Sequence, residues 1–590
     1  MSVSSTFVLA VSLAGFAQAE QPPAVRETVV VTATSAPESL QHVGRTVVVL
    51  AGDELRQLPV SSIADALRLV SSVDVRSRGD RGVQSDFSLR GAGFGQALVL
   101  VNGIRLNDAQ SGHHNSDVPV LLADVERVEV LLGGGSSLHG ADATGGAVNV
   151  ITRGRGRRFL AEAAVGQHGL VDLSSAGSAA RGGVDHALSG GFSRSDGFMT
   201  ARDHRIAQGR YQAILPRGTT ASVALLDKEF GANGFYGPAP SREWTDQLLA
   251  TVQQRFARAD RWQAIADAAY RTHGDRFVYD ERNPSLSQSR HRTHAVSGDF
   301  RVHRAFSSAT QLSLALTGGH ETIASSNLGD HAFSRGSAGV ELRRTLGSRL
   351  VVHPGVRVDS YSGFGTSWSP SVALSGWMSG RVRLRASAGH AFRVPTFTEL
   401  FYVDPNHQAA GALAPETAWS TDAGIDAFGG SWTTGVTLFG RWEDNVIDWV
   451  RPSPSVRWRT ANIRHLDTHG LETAAQRRLG TAGHLRLQYT WLRSDAPALD
   501  QLSKYALDYA RHAVAASLSG EWRGVGVGAR AEGKRRVDGR EYWTLDTQVS
   551  RPFGRAEVFV RAANLFDRRY QEIRGVEMPG RWVKAGVRVK

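Results

Sequence analysis

The 590-residue chain contains no cysteine. Disulfides and thiolate metal sites are thereby excluded, so a chain of this length must hold together by core burial or by a closed sheet. No stretch is apolar for the roughly 20 residues that a membrane-spanning helix needs. There is no basic run with interleaved aromatics. The formal net charge of +12 is spread along the chain, and nucleic acid is not an expected partner. A polar, arginine-rich interior or a surface facing anionic lipid headgroups suits that charge better. No repeat of roughly 40–50 residues is present, which argues against a propeller. No nucleophile–base motif stands in a plausible context, so neither an enzyme nor a bound cofactor is expected. Aspartates are scattered rather than clustered, and hard cations need several oxygens close together. No metal site is expected either.

What is present is export, glycine and alternation. Phe7 to Phe16 is mostly apolar and is followed by the small-x-small triplet Ala17-Gln18-Ala19. Residues 1–19 therefore read as a secretory signal peptide. A short β-prone stretch follows, "ETVVVTAT", from Glu27 through Thr28, Val29, Val30, Val31, Thr32 and Ala33 to Thr34. Proline on both sides sets it apart from neighbouring strands. Glycine is abundant at 64 residues, alongside 13 tryptophans and 11 tyrosines, a composition that suits a β-barrel with aromatic girdles.

Two textures divide the rest. Up to Arg153, helix and strand signals mix. "SSIADALRL" places Ser62 at an N-cap with Asp65 three residues on, and Ile63, Leu67 and Val70 share a face. "ALVLVNG" reads as a buried strand running into an Asn-Gly turn. From about Gly154 the chain becomes a long series of alternating segments. "RVRLRASAG" sets Val382, Leu384, Ala386 and Ala388 against Arg381, Arg383 and Arg385. "WVKAGVRVK" sets four apolar residues against Lys584, Arg588 and Lys590. Such alternation fits a half-wet soluble sheet or a transmembrane barrel. Size decides: about 435 residues at about 20 per strand and connection give about 22 strands, too many for one open soluble sheet.

Six motifs then occur in order: "SLRGAGFGQALVLVNGIRLND", "DVERVEVLLGGGSSLHGADATGGAVNVIT", "GHAFRVPTFTEL", "LAPETAWSTDAGI", "HGLE" and "AANLFDRRYQEIRGVEMPGRWVKAGV". Together they resemble TonB-dependent outer-membrane receptors, and the compact length resembles the cobalamin-receptor branch. The resemblance implies an all-β transmembrane barrel with an α+β plug inside its lumen, in the outer membrane of a Gram-negative bacterium. It divides the chain into a signal peptide (1–19), a periplasmic segment (20–36), a plug (37–153) and a barrel (154–590). Glu27 to Thr34 then corresponds to the TonB box, a free strand that adds to an edge of TonB by β-augmentation. The alternative reading makes it the first strand of the plug. The partners implied are TonB, ExbB and ExbD in the inner membrane, outer-membrane lipid and lipopolysaccharide, and a small-molecule nutrient, for a monomeric protein. The cargo implied is cobalamin, with ferric siderophore and haem as alternatives. A passive porin or adhesin is the rival without energy coupling.

The resemblance also implies a plug–barrel charge cluster. Arg90 of "LRG", Glu416 of "LAPE" and Glu472 of "HGLE" match three of its four members. Leu132 stands where the family places a second plug arginine, which would leave one glutamate without its partner. The glycine runs "GAGFGQ" and "LGGGSS" lack the ending of a phosphate loop and read as tight turns against the barrel wall. The final residue, Lys590, departs from the aromatic that usually ends such barrels. Candidate ligand contacts are His113, His114 and Asn115 in "AQSGHHNSD", and Phe235 and Tyr236 in "FGANGFYGPAPS". Imidazoles and aromatics on exposed loops can touch a large planar molecule.

Overall fold

The structure, a computed structural model, describes residues 28–590 except 81, 259–261, 286, 481–482 and 497–500. The signal segment 1–19, residues 20–26 and Glu27 lie outside the described residues. No helix among the described residues is long and apolar enough to cross a membrane. The alternating region instead forms a closed antiparallel barrel of 22 strands. Two further two-residue strands, His407–Gln408 and Leu502–Ser503, lie in its loops. The first barrel strand, Arg158–Gly166, pairs with the last, Trp582–Val589, so the sheet has no free edge. Lys590 extends the pairing of the last strand with the preceding strand Ala556–Ala563: its N–H donates to the Arg555 carbonyl at 3.0 Å and its ammonium meets Glu557 at 2.7 Å.

Burial along the strands decides between the two readings of the alternation. In Val382–Arg393, Arg383 is 6% exposed while Leu384 is 43% exposed. In Gly483–Asp495, Arg486, Gln488 and Thr490 are buried and Leu487 is exposed. Lys584 and Arg588 are likewise buried, with Val587 and Val589 outside. A soluble sheet would bury the apolar set. Apolar side chains facing outward and charged ones facing inward are the pattern of a barrel in lipid with a filled, polar lumen. Turns at one end are mostly two or three residues, such as 182–183, 308–309 and 347–349. Connections at the other end are long, such as 232–241, 394–415 and 564–581. In outer-membrane barrels the short turns are periplasmic and the long loops extracellular.

The lumen holds the plug. Its five-stranded sheet orders Thr46–Ala51, Val125–Leu132, Gly146–Thr152, Ala97–Val101 and Ile104–Arg105. Ala97–Val101 is buried throughout because it is paired on both sides, by Gly146–Thr152 and Ile104–Arg105, and covered on both faces. It turns back at Asn102 (φ 52°) and Gly103 (φ 85°), and positive φ at both positions is what a two-residue hairpin of the primed type requires. Ser62 caps the helix Ile63–Leu67, accepting from the Asp65 N–H at 3.1 Å. Its Ile63 and Leu67 join one core with Val128, Val130, Val148 and Val150 of the sheet.

Leu316 sits near the middle of the strand Thr310–Ser325 and is 56% exposed. Leu316→Arg is expected to destabilise the barrel by about 2–4 kcal/mol in denaturant titrations in lipid vesicles. A cost within about 0.5 kcal/mol, the usual range for an innocuous surface change, would contradict a lipid-facing Leu316.

Candidate functional site

At the long-loop end of the lumen, the plug presents the short turn Gly112–Ser116. It carries the three adjacent residues expected to meet a ligand, and it separates them. His113 alone stays partly open, with its side chain 17% exposed. Its ring stacks on Phe94 at 4.3 Å, lies edge-on to Tyr505 of a barrel loop at 6.0 Å, and its Nδ1 meets Asp86 at 2.7 Å. Burial lowers the His113 pKa, Asp86 only partly opposing it, so the ring is neutral at neutral pH. Asn115 turns inward, its Oδ1 accepting from the Asp108 N–H at 3.3 Å. His114 is buried against the barrel wall, with Nε2 3.5 Å from Asp275 and its ring 4.5 Å from that of His273. Burial disfavours charge on His114, but Asp275, Asp117 and Glu243 outweigh it and raise the pKa to about 9.

The two loop aromatics also part. Phe235 is buried among Phe230, Ile206, Leu226 and Val576, with the Arg202 guanidinium over its ring at 4.5 Å. Tyr236 is 45% exposed and donates its hydroxyl to Gln84 of the plug at 2.9 Å. Arg78 lies 5.6 Å from its ring and bonds Asp86, which links Tyr236 to His113. Phe94, His113, Tyr505 and Tyr236 therefore form an aromatic floor beneath the loops. Phe94 stands inside the "GAGFGQ" run; its stacking role needed the fold to bring His113 to it.

Deeper in the lumen lie two charge clusters. Arg90 donates Nε and Nη2 to the two carboxylate oxygens of Glu472, both at 2.7 Å, and Nη1 to Asp422. It is 2% exposed, has a positive φ of 52°, and its guanidinium sits 4.3 Å over the Phe439 ring. Gly133 comes so close that an added Cβ would stand 2.8 Å from Asp422 and 3.3 Å from Arg90. Glu416 belongs to the second cluster. It accepts from Arg393 at 2.6 and 2.8 Å, from plug Gln96 at 2.8 Å and from the Ile447 N–H at 2.7 Å. Arg393 also clasps Glu399.

The segment Thr28–Thr34 is not a free strand. Val29–Val30 pairs with Glu38–Ser39, so Pro37 marks a return of the chain rather than an isolating break. Val30 and Ala33 pack with Leu98, Leu100, Leu131 and Ala147 of the plug. Glu129, fully buried, accepts from the Val31 and Thr32 N–H groups at 3.0 Å and from the Thr32 hydroxyl at 2.6 Å. His139 Nε2 donates to the Thr32 carbonyl at 2.8 Å. The expectation of an unpaired strand is corrected by these contacts. A buried carboxylate needs donors, and this segment supplies them.

The family model for the TonB dependent receptor-like beta-barrel matches residues 170–565, and that for the TonB-dependent receptor plug domain matches residues 39–147. The chain belongs to the TonB-dependent receptors. Such receptors are outer-membrane transporters that work with TonB, and they are not enzymes. A curated relative is the vitamin B12 transporter of Photobacterium profundum, 25% identical over 600 residues, covering 95% of this chain and 96% of the relative. The iron-regulated outer membrane virulence protein of Vibrio cholerae is 36% identical over 160 residues, 26% of this chain and 24% of that one. Among solved structures, the ferric enterobactin receptor of Pseudomonas aeruginosa superposes with a TM-score of 0.76 at 16% identity, covering 95% of this chain and all of that one. That likeness is one of fold.

Within this receptor the expected single charge cluster of Arg90, Glu416 and Glu472 is split. Leu132 leaves no carboxylate stranded, because the barrel's own Arg393 faces Glu416 and Arg90 serves both Glu472 and Asp422. Arg393 lies in the quoted motif "GHAFRVPTFTEL", so the signal was present in the sequence without its partner being evident.

Arg90→Ala removes the counter-charge of two buried carboxylates. Breaking such a pair costs about 3–5 kcal/mol. The variant is expected to fold as a barrel but to expose its plug to limited proteolysis. Unchanged plug protection would show that Arg90 does not hold the plug.

Proposed function

We propose that this receptor imports a large, partly planar nutrient, cobalamin before ferric siderophore or haem. The observation that carries the cargo is the near end-to-end correspondence with proteins named as vitamin B12 transporters. The aromatic floor supports it: three rings and a neutral imidazole offer flat apolar faces, which suits a corrin better than a small anion. The shorter match, at higher identity, to an iron-regulated outer-membrane protein keeps the siderophore reading as the second one. Outer-membrane lipid and lipopolysaccharide surround a monomeric barrel in this reading, and ExbB and ExbD energise TonB.

Energy coupling runs through Glu27 to Thr34. In the docked arrangement the backbone of Thr28–Thr34 is engaged by the plug, so β-augmentation by TonB first requires release from Glu129 and His139. Burial, then Arg357, Arg301 and Arg45, lower the His139 pKa to about 4. The ring therefore stays neutral at neutral pH and keeps the Thr32 carbonyl satisfied. The latch is local: a pull along the chain breaks a few hydrogen bonds and withdraws Val30 and Ala33 from Leu98, Leu100, Leu131 and Ala147.

Equilibrium binding to the detergent-folded protein tests the cargo, with cyanocobalamin, haem and a ferric siderophore in parallel. Nanomolar cobalamin binding that weakens at least about tenfold, or about 1.4 kcal/mol, in His113→Ala is expected. No cobalamin binding by a folded barrel would remove it as the cargo. Val30→Pro is expected to abolish energised uptake while leaving surface binding intact. Normal uptake in that variant would sink coupling through this segment.

A further inference from the structure

The buried residues between plug and wall include a group that the transport reading does not use. His114 and Asp117 come from the plug turn, and His273 comes from the barrel strand Trp262–Val278. Their ligand atoms, two imidazole nitrogens and a carboxylate oxygen, all lie within 4.8 Å of one another. All three side chains are buried, His273 completely. His273 Nε2 faces Asp117 Oδ2 at 3.0 Å, and Lys228 holds the other Asp117 oxygen.

Two independent features point to an ion. First, a polar atom here lacks a partner. Among the described residues, nothing hydrogen-bonds Asp275 Oδ1, although its side chain is more than nine-tenths buried. Asp275 Oδ1 belongs to the carboxylate whose Oδ2 lies 3.5 Å from His114 Nε2. Second, carboxylates crowd the group from both sides: Asp117, Asp275 and Glu243 surround His114, and Asp108 and Asp117 both face His273.

The donor set selects the ion. Two imidazoles and carboxylate oxygen suit a zinc-class transition ion, whereas calcium and magnesium call for oxygen alone. His273 is also oriented as such ligands are. With Nε2 toward the ion, its Nδ1 points at Asp108 Oδ2, 3.6 Å away, and Asp108 is itself fixed by Arg271 and by the Thr293 hydroxyl at 2.8 Å.

We propose that His114, Asp117 and His273, completed by Asp275, bind one zinc-class divalent ion that ties the apical plug turn to the barrel wall. The ion would bridge chain segments 156 residues apart. This site is independent of which nutrient the receptor carries.

The test uses the full-length protein folded in detergent, stripped with a chelator and re-equilibrated with Zn2+ or Co2+. One ion per chain is expected by elemental analysis after dialysis, retained against millimolar Mg2+ and Ca2+. Co2+ should give visible d–d bands of a low-coordinate nitrogen–oxygen site. His273→Gln and Asp117→Asn should each weaken Zn2+ binding by more than the about 10–100-fold seen for loss of a supporting group, and Asp108→Asn by about that amount. Zn2+ should raise the unfolding temperature of the parent and not of His273→Gln. Heat-modifiable gel migration confirms that each variant is a folded barrel, and the two ligand variants are read separately so that loss of one to misfolding leaves the other. Failure of the folded parent to retain Zn2+ would overturn the proposal. So would equal Zn2+ affinity in either folded ligand variant, which would place the ion elsewhere.

Discussion

The inner wall of the barrel is charged, and the plug is the surface that pairs it. Arg90 reaches Glu472 and Asp422, Arg68 reaches Glu532 and Glu572, and Arg536 and Lys534 reach Asp74. Each of these groups is nearly inaccessible to water. A buried charge is tolerable only with its partner in place, so plug and barrel are each poor structures without the other. Hydrophobic burial holds the plug together internally, and a closed ladder of strand pairs holds the barrel. Ion pairing holds one inside the other, and it fixes orientation as well as proximity because guanidinium–carboxylate contacts are directional.

That division of labour suits a transporter. An apolar plug–barrel interface would resist shear over its whole area. A polar interface can exchange protein partners for water, losing comparatively little free energy once water enters. Glu129 shows the same logic on a smaller scale. It holds Thr28–Thr34 by three hydrogen bonds, enough to order the segment and few enough to be broken in turn.

Much of this could be seen in the chain itself. Leucine alternating with arginine gave the strand period, and only a barrel lets leucine face out while arginine faces in. The Asn102-Gly103 turn and the Ser62 cap were local signals, and the local conformation follows them. What failed were inferences about partners. Proline beside "ETVVVTAT" looked like isolation, but the turn after it carries Glu38–Ser39 back onto Val29–Val30. Leu132 looked like a missing counter-charge, but Arg393 approaches from another strand. His114 and Asn115 looked like loop residues open to a ligand, yet they fold inward. His273 carried no signal, since its meaning depends on a plug turn far away in sequence. Period and turn chemistry are properties of a few adjacent residues; pairing across a lumen is set only by closure of the barrel.

The sequence separation of these contacts has a consequence for how the molecule is made. Arg90 and Glu472 are 382 residues apart, and the strand that completes the seam is the last of the chain. The plug is synthesised first and its counter-charges come last. During biogenesis it therefore waits with its arginines and aspartates in water, while the wall that will pair them is still being assembled. Contacts of such long range are slow to form. Enclosure must come before or together with closure of the seam between Arg158–Gly166 and Trp582–Val589, because a finished barrel gives a folded domain no side entrance. The order of assembly is thus set by connectivity: an unpaired plug is the obligatory precursor of the sealed receptor.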